Sequence, residues 1–141
     1  LFNDIKIIKQ IHKLNKGGWE TGLHGSYYSY KDKEKLNQEK KDLEAVLADK
    51  VHGIRQHHLN LDIPETWQYQ EKTGLEYDTS LGLKNSIGFR WGTCFPFHPL
   101  NPNTKQQLSI LELPLIIMDT PLFYGKKDIW PEIQRIINTV E

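Results

Sequence analysis

The sequence predicts an α/β fold with mainly parallel strands, and three observations lead to this. Helical patterns alternate with short strand-like runs at least three times, as they do in strand–helix–strand units. Ionisable residues stand at or just past the carboxyl ends of the predicted strands. The predicted strands number five, whereas a closed (β/α) barrel takes eight. Because the chain also opens with a helix that no strand precedes, we expect strands to be missing at its front.

Length and composition limit the possible classes of protein. The 141 residues allow one domain, residues 1–141. Hydrophobic residues make up 38% and charged residues 26%, which excludes a disordered chain or a membrane protein. The 18 basic residues balance 18 acidic ones, so no net charge attracts a nucleic-acid backbone. The longest apolar run, 108–123, is broken by Glu112, Pro114 and Asp119 and is shorter than the ~20 residues that span a bilayer. We therefore expect no nucleic-acid partner and no membrane span.

The chain has a single cysteine, Cys94. One cysteine excludes an internal disulfide framework and a multi-cysteine zinc site, and it favours a cytoplasmic location. No histidine is locally arranged to activate the thiol of Cys94, so we expect this residue to be a buried small hydrophobe and not a nucleophile.

The first half of the chain alternates helix and strand patterns. Apolar residues recur at helical spacing over 5–14, and Gly17 and Gly18 end this pattern. A short buried strand is predicted over 19–24. A charged helix is predicted over 32–49, because its apolar residues form one stripe while its many Lys and Glu form a solvated face.

The second half is predicted to contain four more strands and two helices, from its apolar runs and from the placement of glycine and proline. The strands cover 51–54, 75–78, 87–91 and 109–118, the helices run from Pro64 to Gly74 and over 129–140, and a loop covers 92–107. The run 109–118 is the most convincing buried strand, and Pro131 fits the first turn of the last helix.

Polar side chains follow the predicted strands: His24, Arg55 with His57, Asp78, Arg90 and Asp119. In a (β/α) barrel such strand ends converge on one face, where active sites are built. In an open doubly wound sheet they line the crevice at the strand ends instead. Either architecture predicts a shared site for these side chains, and the residues alone leave both architectures open.

Five segments occur in an order that is typical of one known family. They are ETGLHGSY at 20–27, GIRQH at 53–57, YDTS at 77–80, GFRWGT at 88–93 and LELP at 111–114. The first is similar to an EIGLHGSY strand and loop. On these motifs, from about residue 5 to residue 124, the chain resembles the C-terminal part of polysaccharide deacetylase-like domains (the NodB-homology group, carbohydrate esterase family 4).

The resemblance implies an incomplete, distorted (β/α) barrel that lacks its first strands. It also implies metal-dependent hydrolysis of N-acetyl groups on a polysaccharide or its precursor, with a divalent metal, typically zinc, as cofactor. Family members bind this metal with one Asp and two His. The Asp comes from a TFDD-like strand near the N-terminus, which also supplies the catalytic base. The sequence contains no such strand, so we expect the chain alone to be inactive.

The resemblance assigns metal ligands residue by residue. His24 matches the first His of the family's His-(Ser/Thr)-x-x-His motif, but the second His falls on Tyr28. A phenol is a poor zinc ligand near neutral pH, so His57 or His58 is expected to substitute. Successive residues of an extended segment point in opposite directions, so only one of these two faces the site. We favour His57.

The resemblance also implies a set of catalytic residues. Arg55 matches the Arg that orients the catalytic carboxylate in the family, Asp78 stands where a carboxylate partner would hold that network, and Arg90 follows the next predicted strand. A structural alternative is that Arg55 and Arg90 form ion pairs with Asp78 or Glu112. The closing Leu-x-His motif of the family has no equivalent, and Asp119 is the only ionisable residue at that end.

Three hypotheses on function follow. The first is a polysaccharide deacetylase to which this chain contributes His24, His57 and Arg55. The second is a degenerate, non-catalytic barrel that binds carbohydrate or acts as a scaffold, as Tyr28 and the absent terminal His favour. The third is an unrelated α/β binding module. Missing strands would also leave an exposed sheet edge, through which the chain is expected to self-associate.

Overall fold

A computed structural model of the chain describes residues 4–123 and 128–140. Within them, four parallel strands form one sheet in the order β1-β2-β3-β4, which confirms the predicted α/β fold. The elements are α1 (Ile5–Lys16), β1 (Leu23–Gly25), α2 (Lys33–Leu47), β2 (Gly53–Gln56), α3 (Glu65–Lys72), β3 (Tyr77–Asp78), β4 (Leu111–Glu112), α4 (Asp119–Phe123) and α5 (Trp130–Val140). Short 3₁₀ turns cover Ser29–Lys31 and His57–Leu59.

The strands divide the side chains between two faces of the sheet, because successive side chains of a strand point in opposite directions. The register aligns one residue from each strand: Leu23, Ile54, Asp78 and Glu112. Their side chains therefore share one face, which we call the helix face because α2 and α3 pack on it. His24 and Arg55, which also align, lie on the opposite face. This second face is exposed, and we call it the open face.

The main core fills the space between the helix face and the helices. Leu36 and Leu47 of α2 and Trp67 of α3 are buried against Leu23 and Ile54 of the sheet. Each such side chain contributes about 1.5–3 kcal/mol through its removal from water. A smaller cluster packs α5 against the segments beside β4, through residues that include Ile87, Leu122 and Ile136.

The helices begin and end at the residues that their chemistry predicts. Asp4 accepts a hydrogen bond from the Lys6 amide at 2.8 Å, and Asp32 accepts one from the Lys35 amide at 3.0 Å, so each carboxylate satisfies a free N–H of its helix. α3 begins just after Pro64. The helices predicted over 5–14, 32–49, 64–74 and 129–140 are confirmed within a few residues.

The strand predictions were less accurate. Of 19–24 only Leu23 and His24 are in a strand, and Trp19 is 69% exposed. The strand predicted over 87–91 is not observed: Gly88 has a φ of 133°, and its N–H donates to the Ile116 carbonyl outside any strand. The strand predicted over 109–118 is limited to Leu111–Glu112, because Pro114 has no N–H with which to continue the ladder.

Two further expectations concern burial and the membrane. The side chain of Cys94 is half-buried, whereas a fully buried position was expected. In the described part of the chain, no helix has both the length and the apolar character needed to cross a bilayer.

The two edges of the sheet differ. The outer edge of β4 is covered, because Glu112 and Phe97 exchange backbone hydrogen bonds at 2.8 and 3.1 Å. No strand among residues 4–123 and 128–140 pairs with the outer edge of β1. Such an edge offers free N–H and C=O groups to another chain.

Self-association through β1 stays a prediction. In analytical ultracentrifugation the sedimentation coefficient is expected to rise with protein concentration. A monomer at every concentration would contradict it.

Gly53 provides a second test of the sheet. A Cβ at this position would lie 2.0 Å from the ring of Tyr77, so we expect Gly53→Ala to lower the free energy of unfolding by about 1–3 kcal/mol through overpacking. In a Tyr77→Ala background the clash disappears, and the same change should then have little effect. Urea denaturation of the two single variants and the double variant measures this coupling. Additive effects would contradict the predicted contact.

Candidate functional site

Two histidines meet at the carboxyl ends of β1 and β2. His24 is the middle residue of β1, and His57 follows directly after the last residue of β2. The Nε2 atom of His24 lies 3.1 Å from the Nδ1 atom of His57, and the two rings are almost perpendicular, with 88° between their planes. The sheet register therefore brings together the two predicted metal ligands, which are 33 residues apart in the chain.

Arg55 lies beside His24 on the open face. Its Nε donates a hydrogen bond to Oγ1 of Thr79, just past β3, at 2.9 Å. A shallow cleft of about 350 Å³ runs along this face, and its lining residues are Gly22, Leu23, His24, Gly53, Ile54, Arg55, Tyr77 and Thr79. Tyr77 closes one end of the cleft and donates from its hydroxyl to Glu20 at 2.6 Å.

The charges of the cleft act on His24. Partial burial lowers the pKa of His24 below its ordinary value of 6.5, and the positive charges of His57, Arg55 and His58 lower it further. At neutral pH the imidazole of His24 is therefore mostly neutral. The neutral ring is the form that binds metal ions.

The backbone after β2 explains why His57 and not His58 meets His24. His58 and Leu59 have φ angles of 55° and 51°, in the left-handed region that residues with a Cβ rarely adopt. This turn places the His58 ring against Tyr27 at a centroid distance of 5.8 Å. It also buries Leu59 in the core.

Tyr28, which occupies the second His position of the family motif, lies apart from the histidine pair. Its side chain is exposed and stacks edge-on against Tyr27 at 4.8 Å. The ammonium group of Lys31 lies 5.2 Å from the centre of the Tyr28 ring. Among the contacts of the described residues, none joins Tyr28 to His24.

Asp78 is not in the cleft. It aligns with Ile54 and not with Arg55, so its side chain lies on the helix face, where it is fully buried. There it accepts hydrogen bonds from the amide and the hydroxyl of Ser80. Asp78 was predicted to share a site with His24 and Arg55, but the sheet separates it from them.

Glu112 is the neighbour of Asp78 on the helix face. One of its carboxylate oxygens accepts from Nε1 of Trp67 at 2.8 Å, and the other accepts from the Leu81 amide at 3.0 Å. Burial and, second, the adjacent Asp78 carboxylate together raise the pKa of Glu112 to about 9. Burial also raises the pKa of Asp78. The pair therefore retains a proton at neutral pH, because two buried like charges side by side are unfavourable.

Arg90 and Asp119 also lie outside the cleft. Arg90 is half-buried, and its Nη1 donates to the Gly82 carbonyl at 3.4 Å. Asp119 is exposed at the start of α4 and accepts from the Thr120 amide at 2.8 Å. Within the described ranges, neither Arg55 nor Arg90 forms an ion pair with Asp78 or Glu112, so the structural alternative of arginine–carboxylate pairs is not observed.

The sequence interpretation overlooked two contacts. Thr79, which holds Arg55, was treated only as part of the YDTS motif. Glu112 was considered only as an arginine partner, whereas its neighbour is Asp78. The period of two along β3 was the available signal, because it places Asp78 and Thr79 on opposite faces.

The histidine pair fits part of a metal site. Tetrahedral zinc with Zn–N bonds of about 2.0–2.1 Å holds two ligand nitrogens about 3.3 Å apart, close to the observed 3.1 Å between His24 and His57. No group of three or more His, Cys, Asp or Glu side chains with metal-binding geometry occurs in the described part of the chain. Among the described residues, His24 and His57 could therefore hold a metal ion only together with ligands from elsewhere.

The parallel order of the strands, the helices on one face and the polar strand ends define this architecture as part of a (β/α) barrel. No known protein-family model matches the chain, and no curated protein matches it. Solved structures that are similar to it include two with 17% sequence identity over 94% of the chain. One, described as a polysaccharide deacetylase from Mycobacterium smegmatis, has a TM-score of 0.61, and the chain covers 50% of it. The other, Puue allantoinase, has a TM-score of 0.62, and the chain covers 44% of it.

These two similarities confirm the predicted fold, a partial (β/α) barrel. The chain spans about half the length of each similar structure. At this level of identity the similarity establishes the fold and leaves the activity to be argued from the site.

The buried acid pair predicts how stability depends on pH. The folded state holds a proton on Glu112 up to about pH 9, whereas the unfolded chain releases it near the ordinary value of 4.5. The contribution of this group is therefore complete below pH 4.5 and is lost as the pH rises through 9. For one proton, the free energy of unfolding declines by up to about 1.4 kcal/mol per pH unit in this window.

Asp78→Asn should make this decline smaller, because an amide cannot ionise and the pKa of Glu112 then falls. Urea denaturation across the pH range measures the slope. Asp49→Asn, which changes an exposed carboxylate, should leave the slope as it is in the unchanged protein. Equal slopes in all three proteins would contradict a shared proton.

Proposed function

We propose that this chain forms part of a metal-dependent hydrolase that cleaves amide C–N bonds. Its substrate would be an N-acetyl group on a polysaccharide or its precursor. The observation that carries the proposal is the pairing of His24 with His57 at the strand ends, next to Arg55. The similar structures, one named a polysaccharide deacetylase and the other an allantoinase, support amide hydrolysis as the class of reaction.

The cofactor we propose is a divalent metal ion, with zinc as the first choice. His24 Nε2 and His57 Nδ1 are the atoms that would hold it, and a carboxylate from outside the described residues would complete the ligand set. When bound, such an ion polarises a carbonyl group and lowers the pKa of a bound water. The lowered pKa of His24 keeps that ring free of a proton that would compete with the ion.

Arg55 has a separate role in this proposal. Thr79 fixes its Nε, which turns the guanidinium along the open face next to the histidines. A fixed positive charge at this place would orient a catalytic carboxylate or stabilise the negative charge that develops on the acetyl oxygen. Asp78 and Arg90, which were also predicted to be catalytic, would support the fold around the site instead, through the contacts described above.

We propose that residues 1–141 belong to a single domain and form its C-terminal portion, with carbohydrate as the partner. A second candidate function is a non-catalytic barrel that binds carbohydrate. The position of Tyr28, whose ring contacts Tyr27 and Lys31, favours this alternative. Metal binding distinguishes the two functions.

Zinc titration by calorimetry tests the proposed ligands. The chain is expected to bind one zinc ion. His24→Ala and His57→Ala should each weaken binding by more than about tenfold, because even the outer-shell partners of a metal site contribute 10- to 100-fold. His12→Ala is the matched control, since His12 is exposed and bonds to the Val46 carbonyl on α2.

Three further results test the ligand assignment, the metal site and the activity of the chain alone. Zinc binding that survives both His24→Ala and His57→Ala would refute the ligand assignment. An absence of zinc binding would leave two interpretations, a non-catalytic barrel or a site that needs the missing Asp. Acetate release from acetylated chito-oligosaccharides is expected to be absent for the chain alone, because no carboxylate lies beside the histidine pair among the described residues.

A further inference from the structure

A chain of buried hydrogen bonds runs beneath the histidine pair, on the helix face. Oγ of Ser29 lies 3.0 Å from Oε1 of Gln56 and 2.9 Å from the Ser26 carbonyl oxygen, so its one proton is shared between these two acceptors. The backbone amide of Gln56 donates to Oγ of Ser80 at 2.8 Å, and the Ser80 hydroxyl donates to Asp78. Ser29, Gln56, Ser80 and Asp78 are all at most 1% exposed. The hydrogen bonds thus connect the turn after β1, the end of β2 and the segment after β3.

Gln56 occupies a particular place in this chain. It directly precedes His57, and it aligns with Gly25, which directly follows His24. A Cβ on Gly25 would lie 2.4 Å from Oε1 of Gln56 and 2.6 Å from Oγ of Ser29. The backbone of Gly25, beside His24, therefore packs against the side chain of Gln56, beside His57. A change in the volume or position of the Gln56 amide displaces Gly25, and His24 with it.

Stability alone gives no reason for an amide at this position. A buried polar group is unfavourable unless all its hydrogen bonds are made. Nε2 of Gln56 has no hydrogen-bond partner within the described ranges. An apolar side chain of similar size would avoid this cost, but it could not accept the Ser29 hydroxyl that ties the turn after β1 to β2. The polar side chain therefore acts by holding the two strand ends together.

We propose that Gln56 is a positioning residue for the His24–His57 pair. Through Ser29 and Gly25 it sets the distance between the two ring nitrogens from the opposite face of the sheet. The proposal deepens the proposed function and rests on it, because it treats the two histidines as one ligand pair. Gln56 itself touches neither metal nor substrate.

Gln56→Leu tests this role, and Gln70→Leu is the matched control. Both glutamines are buried to the same degree, and both lack partners for side-chain atoms in the part of the chain that the structure describes. Gln70, however, belongs to α3 and lies next to Asp78, at the end of the hydrogen-bond chain that is farther from the two histidines. The first readout needs no metal: it is the nuclear Overhauser contact between the ring protons of His24 and His57. The second readout is the affinity for cobalt(II).

We expect Gln56→Leu to remain folded, to lose most of the ring-to-ring contact and to bind cobalt about tenfold more weakly. Gln70→Leu should retain both properties. If Gln56→Leu fails to fold, Ser29→Ala tests the positioning role instead. This change removes the Ser29 hydroxyl and leaves the Gln56 side chain in place. It should weaken the contact and the affinity in the same direction.

The outcomes separate the two proposals. Unchanged ring contact in a folded Gln56→Leu protein, or an equal loss in Gln70→Leu, would overturn the positioning role. If the unchanged protein binds no cobalt, the proposed metal function fails. In that case the ring-to-ring contact still decides whether Gln56 positions the histidines.

Discussion

The alternation of side chains along four short parallel strands is the constraint on which the rest of this structure depends. One aligned row, which includes Ile54 and Asp78, lies against the helices. The next row, His24 and Arg55, lies on the open face. A shift of one residue in register would exchange the two rows, which would place imidazole and guanidinium groups in the core and leucine side chains in the cleft. Packing of Leu23 and Ile54 against α2 therefore fixes the orientation of the candidate site. The chemistry of the open face depends on apolar contacts on the other side of the sheet.

The helix face is not uniformly apolar, and its polar part explains how α3 is held. Trp67 is completely buried, and its indole N–H donates to Glu112. Burial of the ring therefore does not leave an unsatisfied side-chain donor. Asp78, beside Glu112, would add a second buried negative charge, which is too unfavourable unless a proton remains on the pair. Asp78, which was predicted to be catalytic, thus belongs with Glu112 to an acid pair that connects a helix to the sheet. Their raised pKa values follow from this structural role and are not by themselves a sign of catalysis.

The sequence predicted the helices well and the strands poorly, for a physical reason. Asp32 and Pro64 are local signals, because capping and the fixed φ of proline act within one turn of a helix. A strand of two residues, such as β3, has no local signal of comparable strength, since the neighbouring strands define it. The candidate site divides in the same way. The meeting of His24 with His57 followed from their strand ends, whereas the position of Asp78 could not be found from the end of its strand alone. It required the register with Ile54.

The buried amide of Gln56 and the half-buried ring of His57 are consecutive in sequence and lie on opposite sides of the sheet. This relation has a general basis. One hydrogen bond between the two rings does not by itself fix the separation of their backbones. The distance between their backbones must therefore be determined on the helix face, where packing is dense and displacement is unfavourable. A glycine at position 25 and an amide at position 56 meet this requirement, since the missing Cβ admits the amide and the amide fills the space. The geometry of the site on the open face thus depends on packing on the helix face.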